Sequence, residues 1–150
     1  MYDCTKNYIN GEWLSSDAPD LHDIINPATE ESIGQVAYGN ATDVDQAVAA
    51  ARNAYEGFSR WTDEQRLELL RKIEESYMAR YNDVAAAISA EMGAPITFSQ
   101  KAQAATGVGH LRSTIAALEA MELEEKVGHS TVLKEPIGVC GLITPWNWPV

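Results

Sequence analysis

Near its C-terminus the chain gathers the side chains best suited to holding a small polar group in an apolar surround, in the order Thr144-Pro145-Trp146-Asn147-Trp148-Pro149. Two prolines restrict the backbone on either side. Trp146 and Trp148 could wall a pocket, and between them the Asn147 amide can donate two hydrogen bonds without carrying charge. The run before this segment, Ile137 to Ile143, is nearly continuous in apolar, often β-branched residues. It predicts a strand buried on both faces, as in a parallel sheet. In open α/β sheets ligands bind beyond the carboxyl ends of such strands, which makes the segment a candidate site. The same residues also suit a packed turn, with a turn asparagine and two packing tryptophans, and residue types alone favour that plainer reading.

Other candidates for chemistry are weaker. Gly107-Val108-Gly109 looks like the start of a dinucleotide fingerprint, but it lies inside a helical pattern and lacks the third glycine. His22, His110 and His129 share no metal-ligand spacing and read as surface or locally bonded residues. Cys140 falls inside the apolar run, where a buried thiol is expected to be inert. Only one other cysteine, Cys4, is present, and there is no CxxC pair or HExxH, so neither a disulfide framework nor a zinc site is expected. The acidic run Glu119 to Glu125 reads as a solvated helix end.

The formal net charge of −11 over 150 residues argues against nucleic-acid binding, since such a chain is repelled by phosphate backbones. No apolar run approaches the ~18 residues that span a bilayer, and no secretory signal is visible, so a reduced, cytoplasmic protein without membrane contact is expected.

The elements that must position the candidate site follow from pattern. Asn10-Gly11 between Tyr8-Ile9 and Glu12-Trp13-Leu14 predicts a hairpin. Ile24-Ile25 and Ile33 to Ala37, separated by the turn Asn26-Pro27-Ala28-Thr29, complete a small antiparallel β-unit. Four helices are expected next. The first is capped by Thr42 with Asp45, carries Val44, Ala47, Val48, Ala51 and Tyr55 on one face, and ends at Gly57. The second runs from about Asp63 to Arg80 behind the capping box Thr62/Gln65. The third runs from about Asn82 to Met92 and stops at Gly93-Ala94-Pro95. The fourth spans roughly Phe98 to Leu123, with a packing seam at Val108, Leu111, Ile115 and Leu118. Ser130 to Lys134 reads as a strand.

Five ordered pieces resemble the beginning of an NAD(P)-dependent aldehyde dehydrogenase: Tyr8-Ile9-Asn10-Gly11-Glu12-Trp13, Ile25-Asn26-Pro27-Ala28-Thr29-Glu30, Asp43 to Ala51, Trp61 with Arg66 and Leu69-Leu70-Arg71-Lys72, and Glu135-Pro136-Ile137-Gly138-Val139 with Thr144-Pro145-Trp146-Asn147. The resemblance covers essentially the whole chain. It implies an α/β fold in which the N-terminal β-hairpin unit and four-helix segment lead into a Rossmann-like parallel sheet that is incomplete in this chain. Residues 1–129 would be the N-terminal part of the cofactor-binding domain, 130–136 the start of an oligomerisation β-element, and 137–150 the buried strand and the start of the active-site segment.

The resemblance also implies a reaction, in which an aldehyde is oxidised to a carboxylic acid by NAD or NADP through a cysteine thiohemiacetal and a thioester. Asn147 matches the oxyanion-hole asparagine. A neutral donor suits that task, because a full positive charge could hold the intermediate too firmly and slow hydride departure. Ile143, Thr144, Pro145 and Trp146 match the segment that lies along the cofactor, chiefly by backbone atoms. Trp148 stands where the family often has Phe in the wall of the aldehyde tunnel, a hint of an apolar or aromatic small-molecule substrate. A monovalent-cation site of some members would fall on the Ile25 carbonyl and the Glu91 carboxylate, although Asp is more usual at the latter position. A homodimer or homotetramer is expected.

The nucleophilic cysteine, the general-base glutamate and the glycine motif of the nucleotide site would all lie beyond Val150. An alternative reading is therefore a truncated, non-catalytic module that keeps part of the fold and pairs through a β-edge. On either reading residues 1–150 alone are expected to show no turnover with NAD(P)+ and a panel of aldehydes, and a measurable steady-state rate from that polypeptide would overturn the assignment of the missing groups.

Overall fold

The computed structural model describes residues 2–150. After β1 (Tyr2–Cys4), the expected hairpin is formed by β2 (Lys6–Ile9) and β3 (Glu12–Ser15), paired antiparallel through Asn10-Gly11. Asn10 and Gly11 both take positive φ, 53° and 84°, as a tight two-residue turn requires. Strands β4 (Asp20–Asn26) and β5 (Glu31–Tyr38) pair antiparallel, with a bulge between Ile24 and Ile25. Asn26 builds their turn, its Oδ1 accepting from the Ala28 N–H at 2.9 Å and its carbonyl from Glu30 N–H at 2.7 Å. The β-unit is not wholly antiparallel, because β1 adds to the far edge of β5 in parallel. Gly34 permits that approach: a Cβ there would lie 2.3 Å from the Tyr2 carbonyl oxygen.

Helix α1 (Ala41–Phe58) starts two residues earlier than expected. Its cap is Asn40, not Thr42. The Asn40 side chain accepts from Asp43 N–H at 3.1 Å, and Asp43 Oδ2 accepts from Asn40 N–H at 2.8 Å and from the Ser16 hydroxyl at 2.7 Å. Asparagine outranks threonine as a cap, and Asn40/Asp43 offers the same three-residue spacing as the box expected at Thr42/Asp45. Nor does Gly57 end the helix, which continues to Phe58. Arg66 then closes that end by donating from its guanidinium to the Phe58 and Ser59 carbonyls at 2.9 and 3.2 Å, a favourable place for a cation. Helix α2 (Asp63–Ala79) begins with the expected Thr62/Gln65 box.

Helix α3 (Tyr81–Met92) ends at Gly93 with φ 72°, and a Cβ on Gly93 would lie 2.8 Å from Pro27 Cγ. The helix terminus therefore sits against the β4–β5 turn. The long helix expected from Phe98 to Leu123 is present without a break from Ile96 to Glu119, but it contains an unforeseen π-turn (Ser99–Gln103) between a short first turn, α4 (Ile96–Phe98), and α5 (Ala104–Glu119). In the π-turn Ala104 N–H donates to Ser99 O, five residues back, rather than to Gln100 O. The freed Gln100 carbonyl accepts from the Tyr81 hydroxyl, and the Ala104 carbonyl accepts from Tyr77 at 2.9 Å. Burial raises the Tyr77 pKa, with Tyr81 adding to it, so the phenol stays a neutral donor.

Helix α5 stops at Glu119 because the chain turns into a second hairpin, β6 (Glu124–Val127) with β7 (Ser130–Leu133). The acidic run is thus divided, Glu119 ending the helix while Glu124 and Glu125 lie in β6. The strand read at Ser130 is present, and it is paired with Glu124–Val127, of which Glu124 and Glu125 had been read as a solvated helix end.

The buried core is small. Ala85 and Ile88 of α3 pack on Ala104, with Tyr81, Val84, Met92 and Val150 around them. Val108 and Ile115 of the expected α5 seam are buried, whereas Leu111 and Leu118 are half-buried. Arg71–Glu119 and Arg112–Glu74, both 2.6 Å, tie α2 to α5.

Gly107 passes so close to Tyr77 that an added Cβ would lie 2.6 Å from its hydroxyl. Gly107→Ala is expected to displace Tyr77 from the Ala104 carbonyl and destabilise the protein by about 1–3 kcal/mol, read as a fall in Tm. The Asp43 carboxyl is held below its usual pKa, first by Asn40 N–H and then by the Ser16 hydroxyl. Its contribution to stability is therefore complete above the ordinary carboxylate range and fades as pH falls through the lower folded-state value. Asp43→Ala should flatten that part of the Tm–pH curve below about pH 4.

Candidate active-site segment

The C-terminal segment is not a strand. Ile137 to Ile143 forms no regular element and is unpaired and exposed, with Ile137 at 92%, Leu142 at 89% and Ile143 at 99%. Two features explain the departure from the expected buried strand. No strand among the described residues lies alongside to complete a ladder, and Gly138 takes φ 114°, outside the strand region. Cys140 is accordingly exposed rather than buried, with Sγ 3.8 Å from the Gly138 carbonyl.

The segment is nonetheless held at both ends. At its start the Tyr55 hydroxyl of α1 donates to the Pro136 carbonyl at 3.0 Å. At its far end Gln103 Nε2, in the π-turn, donates to the Asn147 carbonyl at 3.0 Å. Trp146 and Asn147 form a turn there, and Val150 packs on the Ala85/Ile88/Ala104 core. Trp148 meets Phe98 edge-on, with ring centroids 5.9 Å apart and planes at 67°.

These contacts frame an open cleft of about 530 Å³ between α5 and the C-terminal segment. Thr106 and His110 of α5 form one wall, and Thr144, Pro145, Trp148 and Pro149 form the other. Of the residues singled out in the sequence, Thr144, Pro145 and Trp148 therefore line one cleft. Asn147 is exposed at its edge, its backbone engaged by Gln103 and its side chain making no hydrogen bond among the described residues. Ile143 and Trp146 (82% exposed) present apolar faces to solvent. A larger cleft of about 910 Å³, between α2 and α3, contains none of these residues.

Ile25 and Glu91 are not part of this group. Ile25 lies at the β4 bulge, and Glu91 is exposed on the last turn of α3. Among the described residues no cluster of three or more His, Cys, Asp or Glu side chains could hold a metal ion. No helix is long and apolar enough to cross a membrane.

Sequence reasoning missed Phe98, Gln103, Thr106 and His110. A signal for them exists: Ser99, Gln103, Thr106 and His110 recur at i, i+4, i+7 and i+11, a polar stripe where a buried helix would carry apolar residues.

Known proteins share both the sequence and the shape. The model of the aldehyde dehydrogenase family matches residues 13–150. A Staphylococcus haemolyticus protein, provisionally named an aldehyde dehydrogenase, is 48% identical over 99% of this chain, which spans 31% of that protein's length. The crystal structure of a mutant aldehyde dehydrogenase C of Pseudomonas syringae, complexed with NAD+ and octanal, superposes with a TM-score of 0.93 at 41% identity, covering 97% of this chain and 30% of that one. A mutant betaine aldehyde dehydrogenase of Staphylococcus aureus, in complex with NAD+, superposes with a TM-score of 0.88 at 29% identity over 96% of this chain and 30% of its own. The ordered motifs, the α/β architecture and the family match over residues 13–150 agree, and the chain belongs to the aldehyde dehydrogenase family.

Proposed function

We propose that this chain serves the oxidation of an aldehyde to a carboxylic acid with NAD or NADP, contributing one side-chain donor of the oxyanion hole and part of the cofactor wall. The observation that carries the reading is the anchored turn at Asn147. Its backbone carbonyl is tied to a buried amide while its side-chain amide is left free beside a cleft walled by Trp148. A donor intended for a reacting oxygen has to be fixed in direction and unspent in the resting protein.

In this reading a thiolate from elsewhere in the protein adds to the aldehyde carbonyl, and Asn147 Nδ2 donates to the oxygen as negative charge develops there. A neutral amide stabilises the charge without trapping it. Trp148, steadied by Phe98, offers an apolar face to the substrate chain, and the octanal bound by the Pseudomonas syringae relative supports an apolar aldehyde.

The residues at hand suit a nicotinamide cofactor in part. NAD(P)+, when bound, accepts the hydride that leaves the substrate carbon. Ile143 and Trp146 supply exposed apolar surface, and the unpaired backbone around Thr144 supplies hydrogen-bonding groups. Neither lysine nor arginine occurs from Glu135 to Val150, so this segment suits the uncharged portions of the cofactor rather than its phosphates. The NAD+ complexes of the Pseudomonas and Staphylococcus aureus relatives support the cofactor class.

The same proposal assigns residues 1–129 to the cofactor-binding domain and the strand from Ser130 to an oligomerisation element. The exposed Val127, Val132 and Leu133 on the β6–β7 hairpin support a surface that meets another subunit, as in a homodimer or homotetramer. A cytoplasmic setting belongs to this reading as well.

In the whole protein, Asn147→Ala should lower kcat for a medium-chain aldehyde by about 10²–10³-fold while the fold is retained. An unchanged kcat, with circular dichroism and Tm like wild type, would remove Asn147 from the reaction.

A further inference from the structure

We propose that Gln103 is a positioning residue that acts through Asn147, and that the π-turn exists in this helix to deliver it; the proposal rests on the reading of Asn147 as the oxyanion donor. Gln103 is 1% exposed, and it and Ser99 are the largest fully buried side chains. A buried amide is unfavourable unless its groups are bonded, so an apolar side chain would be the simpler choice at this depth. Its bonds explain the choice. Nε2 donates to the Asn147 carbonyl at 3.0 Å and faces the weak acceptor Met92 Sδ at 3.4 Å. Oε1 accepts from the Ser99 hydroxyl at 3.4 Å, and because the Asn147 carbonyl can only accept, it is the NH2 end of the amide that points to the loop.

The backbone around Gln103 is equally committed. In an uninterrupted α-helix Ala104 N–H would satisfy Gln100 O. Here it reaches Ser99 O, and Tyr81 fills the vacancy. Such widened turns change the direction in which the following side chains leave the helix. A second tyrosine, Tyr77, secures the next turn at Ala104, and Gly107 leaves room for it. Two hydroxyls, one glycine and one serine thus hold a single amide against a single carbonyl.

That carbonyl belongs to the rigid peptide plane joining Asn147 to Trp148. Holding the plane limits the swing of the amide on one side and of the indole on the other. Removing the bond leaves both side chains present while the aim of the Asn147 amide drifts, and a misplacement of about 1 Å can cost on the order of 10²-fold in rate. The signature is a loss in kcat, since Trp148 in the substrate wall keeps its own edge contact with Phe98.

The test uses the whole protein, an aldehyde such as octanal, and NAD+. Gln103→Leu keeps the volume and removes the donor. It is expected to lower kcat by roughly 10–100-fold, with KM changed by less than about threefold. Placed on an Asn147→Ala background, Gln103→Leu should lower kcat no further, because its effect passes through the missing amide. Gln103→Glu gives a second readout that does not depend on the leucine variant folding. An ionised carboxylate can only accept, whereas the protonated form recovers an O–H donor, so its kcat relative to wild type should rise as pH is lowered.

A full additional loss in the double variant, an effect confined to KM, or a pH-independent ratio for Gln103→Glu would overturn the role of Gln103 while leaving Asn147 in place. If Asn147→Ala alone leaves kcat unchanged, the reading of the site itself fails, and the role of Gln103 fails with it.

Discussion

One hydrogen bond organises this chain: the buried Gln103 amide to the Asn147 carbonyl. It joins the helical layer to a segment that has no strand partners of its own. Leaving such a buried donor unmade costs roughly 1–3 kcal/mol, comparable to a substantial part of a domain's net stability. The surroundings leave little alternative. Among the described residues every buried side-chain nitrogen and oxygen has a partner. The π-turn, the two tyrosines that service it and the close Gly107 contact all lie around the same amide. At the C-terminal end of α3, Gly93 and Pro27 meet, so the β-unit abuts the helix from which Tyr81 reaches the π-turn.

Much of this was legible in sequence, and the failures share a cause. Asn10-Gly11, Asn26-Pro27, Thr62/Gln65 and Gly93 carry their instructions locally, and each does what its type requires. Asn40 displaced Thr42 because two equally spaced boxes lay two residues apart, and only the Ser16 hydroxyl, brought in from β3's end, adds a third bond to one of them. The π-turn is invisible to periodicity, since the hydroxyl donor that satisfies its freed carbonyl, Tyr81, lies on another helix. Ile137–Ile143 has the composition of a buried strand, but burial is a property of neighbours. For the candidate site, the segment and its order were legible, whereas the residue that holds it was not. Gln103 reads as an ordinary polar helix residue until its depth is known.

Charge is used sparingly and at joints. With −11 overall, the chain has few cations, and three arginines are spent on helix connections: Arg66 on the end of α1, Arg71 and Arg112 on pairs between α2 and α5. Exposed pairs of this kind contribute at most about 1 kcal/mol each, so they orient helices more than they stabilise them. Apolar contact does little more within these residues, since neither α1 nor α2 contains a fully buried side chain. Large apolar residues such as Ile73, Met78 and Phe98 remain exposed. The chain spans 30% of the Pseudomonas syringae relative's length.

The exposed apolar run raises a hazard of its own, and its punctuation answers it. Seven residues as hydrophobic as Ile137–Ile143 are the usual raw material of intermolecular strand stacking. Here Pro136 precedes the run, Gly138 bends it with φ 114°, Gly141 interrupts it again, and Pro145 closes it. Prolines withhold donors and glycines weaken extended order, so a second copy finds a poor template. The punctuation that keeps this stretch from ordering alone thus also protects it from ordering with the wrong partner.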